Sequence, residues 1–595
     1  MRIQNLLIVA ATVFIGALTY SPADAANGPV VVGNITINIV DPIPSLGFDD
    51  TTPAAPVGGN PGTTVGEQRL EAYRRAAEIW DGILDIDVQI VLQASFVPLS
   101  CEATSGVLGS AGALNVFRDF PGPSFPRTWY GAALANNLAG ADLNGSEPDP
   151  ALLAPPFNDE IVSFFNSELG KPGCLENSSW YYGLDHNEPP GGIDFLVVLL
   201  HEVGHGLGFQ NFADDASGAN FLGFPDQWSR FQRDDVLAEK HWDQMIDAER
   251  QFSAVNGPNL VWTGPQVTAA APGVLGPALV IRFNAPPDLA GEELPFGTAS
   301  FGPPVPAAGI TGDIVLVNDG VGTASDACEP IANDLTGAIA LLDRGSCTFV
   351  LKAQNAEAAG AIAVIIANNV AGNTPIGLGG SGVVGVPTVS ATQAGGALLR
   401  QNPGTNVTIG APSSDGSLSG TDPGGLVRLY APSPVAPGSS VAHYDVSANP
   451  NLLMEPSINA DLSPSDPAVG VDLTDELLRD VGWDGNVSCP VDANDIETVN
   501  VFGCDTGVPN RQGTYTVIPS KTWGPGQFGA VAGGCYLMDV IDACLPLIDF
   551  SGGGGQYQSC IAAVTSDLKQ QGELSMSEAG AIKNCATTVA PLMNP

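Results

Sequence analysis

The stretch Phe195-Leu-Val-Val-Leu-Leu-His-Glu-Val-Gly-His-Gly-Leu-Gly-Phe209 determines most of what this sequence predicts. It contains a His-Glu-x-x-His motif within an apolar segment, and Asp194 stands before it as a candidate helix N-cap. On an α-helix, His201 and His205 are four residues apart and project from one face. Two imidazoles placed in this way can bind one zinc ion, with Glu202 beside them as a candidate general base.

A third zinc ligand has few candidates, because the chain contains only five histidines. Asn211 stands three residues after Gly208, but its neutral amide is a poor zinc ligand. The side chains that remain as candidates are His186 in an upstream loop, His241 on a predicted surface helix, the carboxylates of Asp214 and Asp215, the glutamates Glu239 and Glu249, and the distant His443.

His443 lies in Ser440-Val-Ala-His-Tyr-Asp-Val-Ser-Ala-Asn-Pro-Asn-Leu-Leu-Met-Glu-Pro456, where Met454 follows it by eleven residues. The motif His-Glu-x-x-His-x-x-Gly, a distant histidine and this methionine together resemble the leishmanolysin-like metzincins. In that family an insertion separates two halves of the zinc site. The resemblance implies that His443 joins the two helical histidines as a zinc ligand, with Glu202 as the catalytic base. It also implies that Met454 forms a tight turn below the metal.

Two further interpretations of the same residues stay open. Asn211 stands where a short metzincin motif has its third histidine, so a damaged site of that type is one alternative. A gluzincin-type hydrolase would instead take a downstream glutamate, Glu239 or Glu249, as its third ligand, which leaves Gly208 and Met454 unexplained. Tyr444, beside His443, is a candidate oxyanion donor or simply a packing residue.

Between the two halves of this site, the composition shifts to Gly, Ala, Val and Pro. Within this region, residues 337–369 carry a strand, the turn Arg-Gly-Ser-Cys-Thr-Phe, a helix, then Ala-Gly-Ala and a second strand. This order resembles the protease-associated (PA) domain over residues 265–428. The resemblance implies a disulfide between Cys328 and Cys347. It also implies a role in contacting substrate or limiting access to the cleft, without catalysis.

The composition of the chain limits its possible partners, its location and the state of its cysteines. The chain has 595 residues with 21 basic and 63 acidic side chains, and its net charge of -42 excludes nucleic acid as a partner. Arg2, an apolar run from Leu6 to Leu18 and Ala23-Asp24-Ala25 predict a secretory signal, and no segment is long enough for a membrane span. The ten cysteines of an exported chain favour disulfides, with Cys101 and Cys174 as one pair.

The predicted organisation is an α/β metzincin-like catalytic domain, split by a β-rich α+β PA domain and followed by a small disulfide-rich module. A strand over 30–40, a helix over 67–84 and strands over 87–97 and 160–165 support the α/β class. The predicted boundaries are a signal peptide at 1–25, the first catalytic part at 26–264, the PA domain at 265–428, the second catalytic part at 429–485, and the cysteine-rich module at 486–595.

The predicted function is that of a secreted endopeptidase, in which one Zn²⁺ activates water and Glu202 acts as general base on a protein or peptide substrate. The alternative class is a non-catalytic secreted binding or adhesion protein on the same scaffold. A calcium ion at Asp492, Asn494 and Asp495 is a weaker hypothesis, because these residues match no complete calcium loop. The sequence leaves the oligomeric state open.

Overall fold

A computed structural model describes residues 28–590, apart from 104, 121, 123–124, 145–158, 238–239, 300, 373–374, 381–382, 403, 458–471, 485–497, 502–503, 518–530, 543 and 545–553. Three predictions therefore lie outside the described residues. They are the signal peptide at 1–25, the calcium hypothesis at 492–495, and Glu239 as a metal ligand.

The chain up to the His-Glu-x-x-His motif forms a mixed five-stranded sheet with helices packed against it. Its elements are β1 (Val30–Val32), β2 (Ile35–Ile39), α1 (Val65–Ile83), β3 (Ile90–Val97), β4 (Gly109–Ala113), β5 (Val116–Phe117), β6 (Tyr130–Gly131), α2 (Ala132–Ala139), β7 (Ile161–Asn166), β8 (Ser179–Tyr181), β9 (Gly192–Asp194) and α3 (Phe195–Leu207). The strand order is β1-β2-β3-β7-β4. Strands β2, β3 and β7 run parallel, and β4 pairs antiparallel with β7 at one edge.

One predicted strand is two strands. The alternating apolar pattern over 30–40 folds into the β1–β2 hairpin, because the chain reverses at Gly33, whose φ of 53° lies in the left-handed region. The predicted helix is α1. It begins with a capping box, in which the Thr64 hydroxyl accepts from the Glu67 amide and the Glu67 carboxylate accepts from the Thr64 amide.

Helix α3 carries the motif through the centre of the core. It begins at Asp194, whose carboxylate accepts a hydrogen bond from the Val197 amide at 3.2 Å. Phe195 is fully buried against the rings of Tyr73, Phe96, Phe165, Trp180 and Tyr182. Burying one such side chain contributes about 1.5–3 kcal/mol, so the first turn of α3 is firmly anchored. The helix ends at Gly208, where φ is 130°.

A second, smaller sheet follows α3. Its elements before residue 275 are β10 (Gln232–Asp234), β11 (Lys240–His241), α4 (Asp247–Ser253), β12 (Leu260–Trp262) and α5 (Pro265–Val274). His241 was predicted on a surface helix, and that prediction is wrong. His241 lies in β11 and is 2% exposed, because its Nδ1 bonds to the Arg230 carbonyl at 2.6 Å inside the fold.

The described residues of 279–412 form a closed barrel with two helices. The elements are β13 (Leu279–Ala285), β14 (Glu293–Thr298), β15 (Ile310–Leu316), β16 (Ile339–Asp343), α6 (Phe349–Ala358), β17 (Ala363–Ala367), β18 (Thr388–Ala391), α7 (Gln393–Gln401) and β19 (Asn406–Pro412). The barrel order is β13-β14-β18-β17-β16-β15-β19, and β15, β16, β17 and β18 are successively parallel. A disulfide joins Cys328 to Cys347 within it.

After the barrel the chain returns to the sheet that it left. Strand β20 (Val427–Arg428) pairs antiparallel with β12, so one sheet contains residues from both sides of the barrel. Helix α8 (Thr474–Val481) follows, and the Trp483 indole donates to the Leu207 carbonyl at the end of α3 at 2.7 Å. A single hydrophobic core therefore unites residues before and after the barrel.

The C-terminal part has a separate core. Its elements are β21 (Thr498–Val501), β22 (Cys504–Pro509), β23 (Gln512–Val517), β24 (Val531–Tyr536), α9 (Leu537–Asp542), α10 (Gly554–Gln571) and α11 (Met576–Val589). Disulfides join Cys504 to Cys585 and Cys544 to Cys560. Asp539 accepts a hydrogen bond from Arg230 at 3.1 Å, which ties this part to the second sheet. None of the helices in the described ranges combines the length and apolar character of a membrane span.

Candidate metal centre

Three histidine side chains meet between α3 and the residues that follow the barrel. His201 and His205 project from one face of α3, with their Nε2 atoms 3.2 Å apart. The Nε2 of His443 lies 3.3 Å from that of His201, although the two residues are 242 positions apart in sequence. His201 is 7% exposed and His443 is 3% exposed. The structure thus brings together the three histidines on which the leishmanolysin-like interpretation depends.

His443 lies in a segment between β20 and α8, where backbone hydrogen bonds hold it in place. Its carbonyl accepts from the Tyr430 amide at 2.9 Å, and the next amide, that of Tyr444, donates to the Met454 carbonyl at 2.9 Å. Tyr430 follows β20 closely in sequence, so the pairing of β20 with β12 contributes to the position of His443.

Each histidine is fixed in one tautomer. In every case Nδ1 contacts a backbone carbonyl oxygen: His201 with Leu453 at 2.7 Å, His205 with Phe209 at 2.7 Å, and His443 with Ser439 at 2.9 Å. A carbonyl can only accept, so Nδ1 carries the proton and Nε2 of the neutral ring presents a lone pair.

Neutral rings are also favoured by the surroundings. Burial lowers the pKa of His201 to about 4 and that of His205 to about 3, and it places the pKa of His443 well below its ordinary value. Three unprotonated Nε2 atoms this close repel one another unless a cation lies among them. The donor set, three neutral imidazoles, fits a zinc ion.

Glu202 is buried beside β4, the edge strand of the first sheet. It is 8% exposed, and burial raises its pKa to about 8, opposed in part by a hydrogen bond from the Ala111 backbone. A Cβ added to Gly109 would lie 2.9 Å from Cγ of Glu202, so the glycine leaves the space that this side chain occupies. Glu202 is thus confined between α3 and β4.

Met454 lies directly against α3. It is fully buried, and its Sδ would be 3.0 Å from a Cβ added to Gly204, which stands between the two helical histidines. The neighbouring residue Leu453 supplies the carbonyl that fixes His201, and its amide donates to the buried carboxylate of Asp472 at 2.9 Å. Sequence reasoning identified neither the role of Asp472 nor the three carbonyls, since backbone carbonyls carry no side-chain pattern and the contact of Asp472 with Leu453 forms only in the fold.

The other candidate ligands among the described residues form hydrogen bonds with groups outside the histidine cluster. Asn211 donates to Ala213 and Asp215, and the carboxylate of Asp214 accepts from Ser217. His186 hydrogen-bonds to the Asp194 carboxylate, and His241 hydrogen-bonds to the Arg230 carbonyl. The Glu249 carboxylate accepts from Lys240 and from the Ile246 amide. Tyr444 is also fully buried and donates to the Leu473 carbonyl at 2.8 Å, so it is a packing residue here.

The barrel can be compared with known protein families. Residues 305–399 match the family model of the PA domain. The predicted PA domain is therefore confirmed, and its boundaries at 265 and 428 stay a prediction. Cys328, Cys347 and their disulfide lie within the PA domain.

Relatives match short parts of the chain. Aminopeptidase YwaD of Bacillus subtilis is 40% identical over 129 residues, which is 20% of this chain and 27% of the relative. An aminopeptidase of Pseudomonas aeruginosa is 38% identical over 109 residues, 16% of this chain and 20% of the relative. Minor extracellular protease Vpr of Bacillus subtilis is 40% identical over 77 residues, 13% of this chain and 9% of the relative. The 129-residue match is too short to contain both His201 and His443, which are 242 residues apart.

A solved zinc aminopeptidase from Bacillus subtilis is 27% identical, and the match covers 24% of this chain and 35% of that chain with a TM-score of 0.19. The matches thus span 20–27% of these curated aminopeptidases and 35% of this solved chain. A TM-score of 0.19 is too low to show that the two chains share a fold.

Proposed function

We propose that this protein is a zinc-dependent peptidase and, more narrowly, a leishmanolysin-like endopeptidase whose zinc site is completed across the PA domain. The observation that carries the proposal is the meeting of three Nε2 lone pairs, on the buried His201 and His443 and the half-buried His205, beside the buried carboxylate of Glu202. A non-catalytic protein has no need to keep a carboxylate buried beside such a cluster. The names of the relatives, aminopeptidases and an extracellular protease, support a peptide substrate.

The roles of the residues follow from their positions. His201, His205 and His443 would hold zinc through Nε2, while the Nδ1–carbonyl bonds keep each ring oriented. A zinc ion supplies Lewis acidity, which polarises a scissile carbonyl and makes water a better nucleophile. Burial raises the pKa of Glu202 to about 8, and the charge of a bound zinc ion would lower it, so that the ionised carboxylate could accept the proton of the attacking water and deliver it to the leaving amine. The confinement of Glu202 between α3 and β4 favours one orientation of that oxygen.

The proposal is tested with zinc-loaded full-length protein and the variant Glu202→Gln. The matched control is Glu249→Gln, which removes a carboxylate bound to Lys240 and the Ile246 amide outside the histidine cluster. We expect the wild type and Glu249→Gln to cleave casein and an internally quenched peptide with blocked termini. Glu202→Gln should bind zinc equally well while its kcat falls by at least about 100-fold, as expected for loss of a general base.

The choice of substrates and the Glu249→Gln variant also distinguish an endopeptidase from an aminopeptidase and from a gluzincin-type hydrolase. Cleavage restricted to aminoacyl amides with a free N-terminus would replace the endopeptidase with an aminopeptidase. Loss of zinc and activity in Glu249→Gln would favour the gluzincin-type site. A zinc-loaded wild type without hydrolysis of any of these substrates would contradict the proposed function.

A further inference from the structure

A second group of ligand-type side chains lies in the PA domain, in the loop between β15 and β16. One carboxylate oxygen from each of Asp319, Asp326 and Glu329 lies within 4.8 Å of the others. Asp319 is 6% exposed and Asp326 is 5% exposed, so these carboxylates are removed from the solvent that would ordinarily neutralise their repulsion. Such a cluster needs a compensating charge.

One oxygen of this cluster has no hydrogen-bond partner. The Oδ1 atom of Asp319 accepts from the Val321 amide at 3.1 Å, while its Oδ2 atom is buried and accepts no hydrogen bond. The side chains of Asp319 and Asp326 are near enough for a hydrogen bond, but two ionised carboxylates can only accept, so their approach is repulsive. The Oδ1 atom of Asp326 accepts from the Cys328 amide at 3.1 Å. Leaving a buried charged acceptor unmet is costly, by more than the roughly 1–3 kcal/mol of a neutral group. The unmet oxygen therefore indicates a missing ligand.

The ammonium group of Lys352 offsets part of the negative charge of these three carboxylates. This lysine is fully buried, and its Nζ donates to the backbone carbonyl of Asp326 and lies 3.5 Å from Sγ of Cys328. Its hydrogen bonds thus go to a carbonyl and a sulfur, while its charge acts on the carboxylates from a distance. Three carboxylates against one ammonium leave two formal negative charges, which one divalent cation would balance.

We propose that Asp319, Asp326 and Glu329 bind one calcium ion in the PA domain. The donors are all oxygen, as Ca²⁺ requires, and a loop that bends around them can add backbone carbonyls and water. The histidine cluster differs in kind, since imidazole nitrogen favours zinc. The Cys328–Cys347 disulfide anchors the same loop, so calcium would brace the loop against α6, which carries Lys352. The proposal is independent of peptidase activity.

The experiment uses the full chain, freed of calcium and kept saturated with zinc, and titrates CaCl₂ by calorimetry and thermal unfolding. The test variant is Asp319→Asn. The matched control is Asp334→Asn in the same loop, an aspartate whose carboxylate accepts hydrogen bonds only from Thr336 among those described. We expect the wild type and the control to bind one calcium ion and to unfold at a higher temperature with calcium. Asp319→Asn should bind at least about tenfold more weakly, as loss of one charged ligand predicts.

The unfolding temperature of Asp319→Asn without calcium shows whether this variant still folds. Asp319→Asn removes an uncompensated buried charge, so without calcium it should unfold at or above the wild-type temperature. If this variant fails to fold, Glu329→Gln, at the half-buried position of the cluster, replaces it with the same expected loss of affinity. The proposal is overturned if the wild type shows no calcium response up to about 10 mM, beyond the range of extracellular calcium modules. Equal calcium affinity in wild type and Asp319→Asn would overturn it as well.

Discussion

His443 carries the greatest weight among single residues, because it completes the cluster from a distant part of the chain. We predict that His443→Ala lowers zinc affinity by more than about 100-fold, which exceeds the usual effect of an outer hydrogen-bond partner. The measurement is competition with a chromophoric chelator, with bound zinc determined by mass spectrometry. Asp214→Ala is the control, since its carboxylate bonds to Ser217 within its own loop. Retained zinc in His443→Ala, with loss in Asp214→Ala, would contradict the proposed ligand set.

Gly109 makes a second prediction at this scale. A Cβ at Gly109 would lie 2.9 Å from Cγ of Glu202 and 2.9 Å from the Phe165 ring, so Gly109→Ala must shift its neighbours, and we expect Glu202 to be displaced. We expect kcat to fall about 10- to 100-fold with zinc retained, because small displacements of a catalytic group are expensive. Gly112→Ala, in the same strand, meets only the flexible end of Gln210 and should keep kcat within about threefold. Equal kcat values in the two variants would show that Glu202 tolerates displacement.

The contrast between His205 and His443 shows how far single residues can be predicted. The four-residue spacing on a helix is sufficient to place His201 and His205 together, because helix geometry alone sets that distance. His443 could be proposed only through a family resemblance, since its position depends on the pairing of β20 with β12 and on the turn that contains Leu453. Long-range pairing of this kind leaves no periodic pattern in the sequence.

At the scale of elements, the turn that contains Leu453 and Met454 depends on Asp472. The Asp472 carboxylate accepts from the amides of Leu453 and Thr474, at 2.9 and 3.0 Å, and is 3% exposed. We predict that Asp472→Ala destabilises the fold by about 1–3 kcal/mol, because both amides lose their acceptor. It should also weaken zinc binding roughly tenfold, because the Leu453 carbonyl orients His201.

Chemical denaturation and a zinc-competition assay measure the two effects. Asp475→Ala is the control, since that carboxylate bonds to Arg479 on α8 and should contribute under about 1 kcal/mol. If zinc affinity stays unchanged in Asp472→Ala while stability falls, the carboxylate supports the fold without positioning His201.

The elements were only partly predictable. Helix α1 and strands β3 and β7 lie close to their predicted ranges, because their apolar residues follow helical or strand-like patterns. Strand β4 was not predicted. Its sequence, Gly-Ser-Ala-Gly-Ala, has little strand propensity, and its place is set by five residue pairs with β7. Tertiary pairing thus produced the element that borders Glu202.

At the scale of the whole molecule, the barrel is inserted at a point where the chain before it and the chain after it contact each other. The Ala278 amide donates to the Ser417 carbonyl at 2.8 Å, and Pro277 pairs with Leu418. The core that contains the histidine helix includes none of the described residues between 279 and 416. The presence of the insertion could be predicted from a composition shift and a motif, whereas the contact between its two ends forms only in the folded chain.

This contact between the two ends predicts that the catalytic part survives without the insertion. Replacing residues 279–416 with a short Gly-Ser linker should preserve zinc binding and hydrolysis of a short blocked peptide within about threefold, because the linker only rejoins neighbouring ends. The ratio of casein to short-peptide cleavage should change at least about threefold if the PA domain acts on substrates. A higher ratio would show that the domain limits access to Glu202, and a lower ratio would show that it contacts protein substrates. An unchanged ratio, with zinc retained, would contradict both roles and make the insertion purely structural.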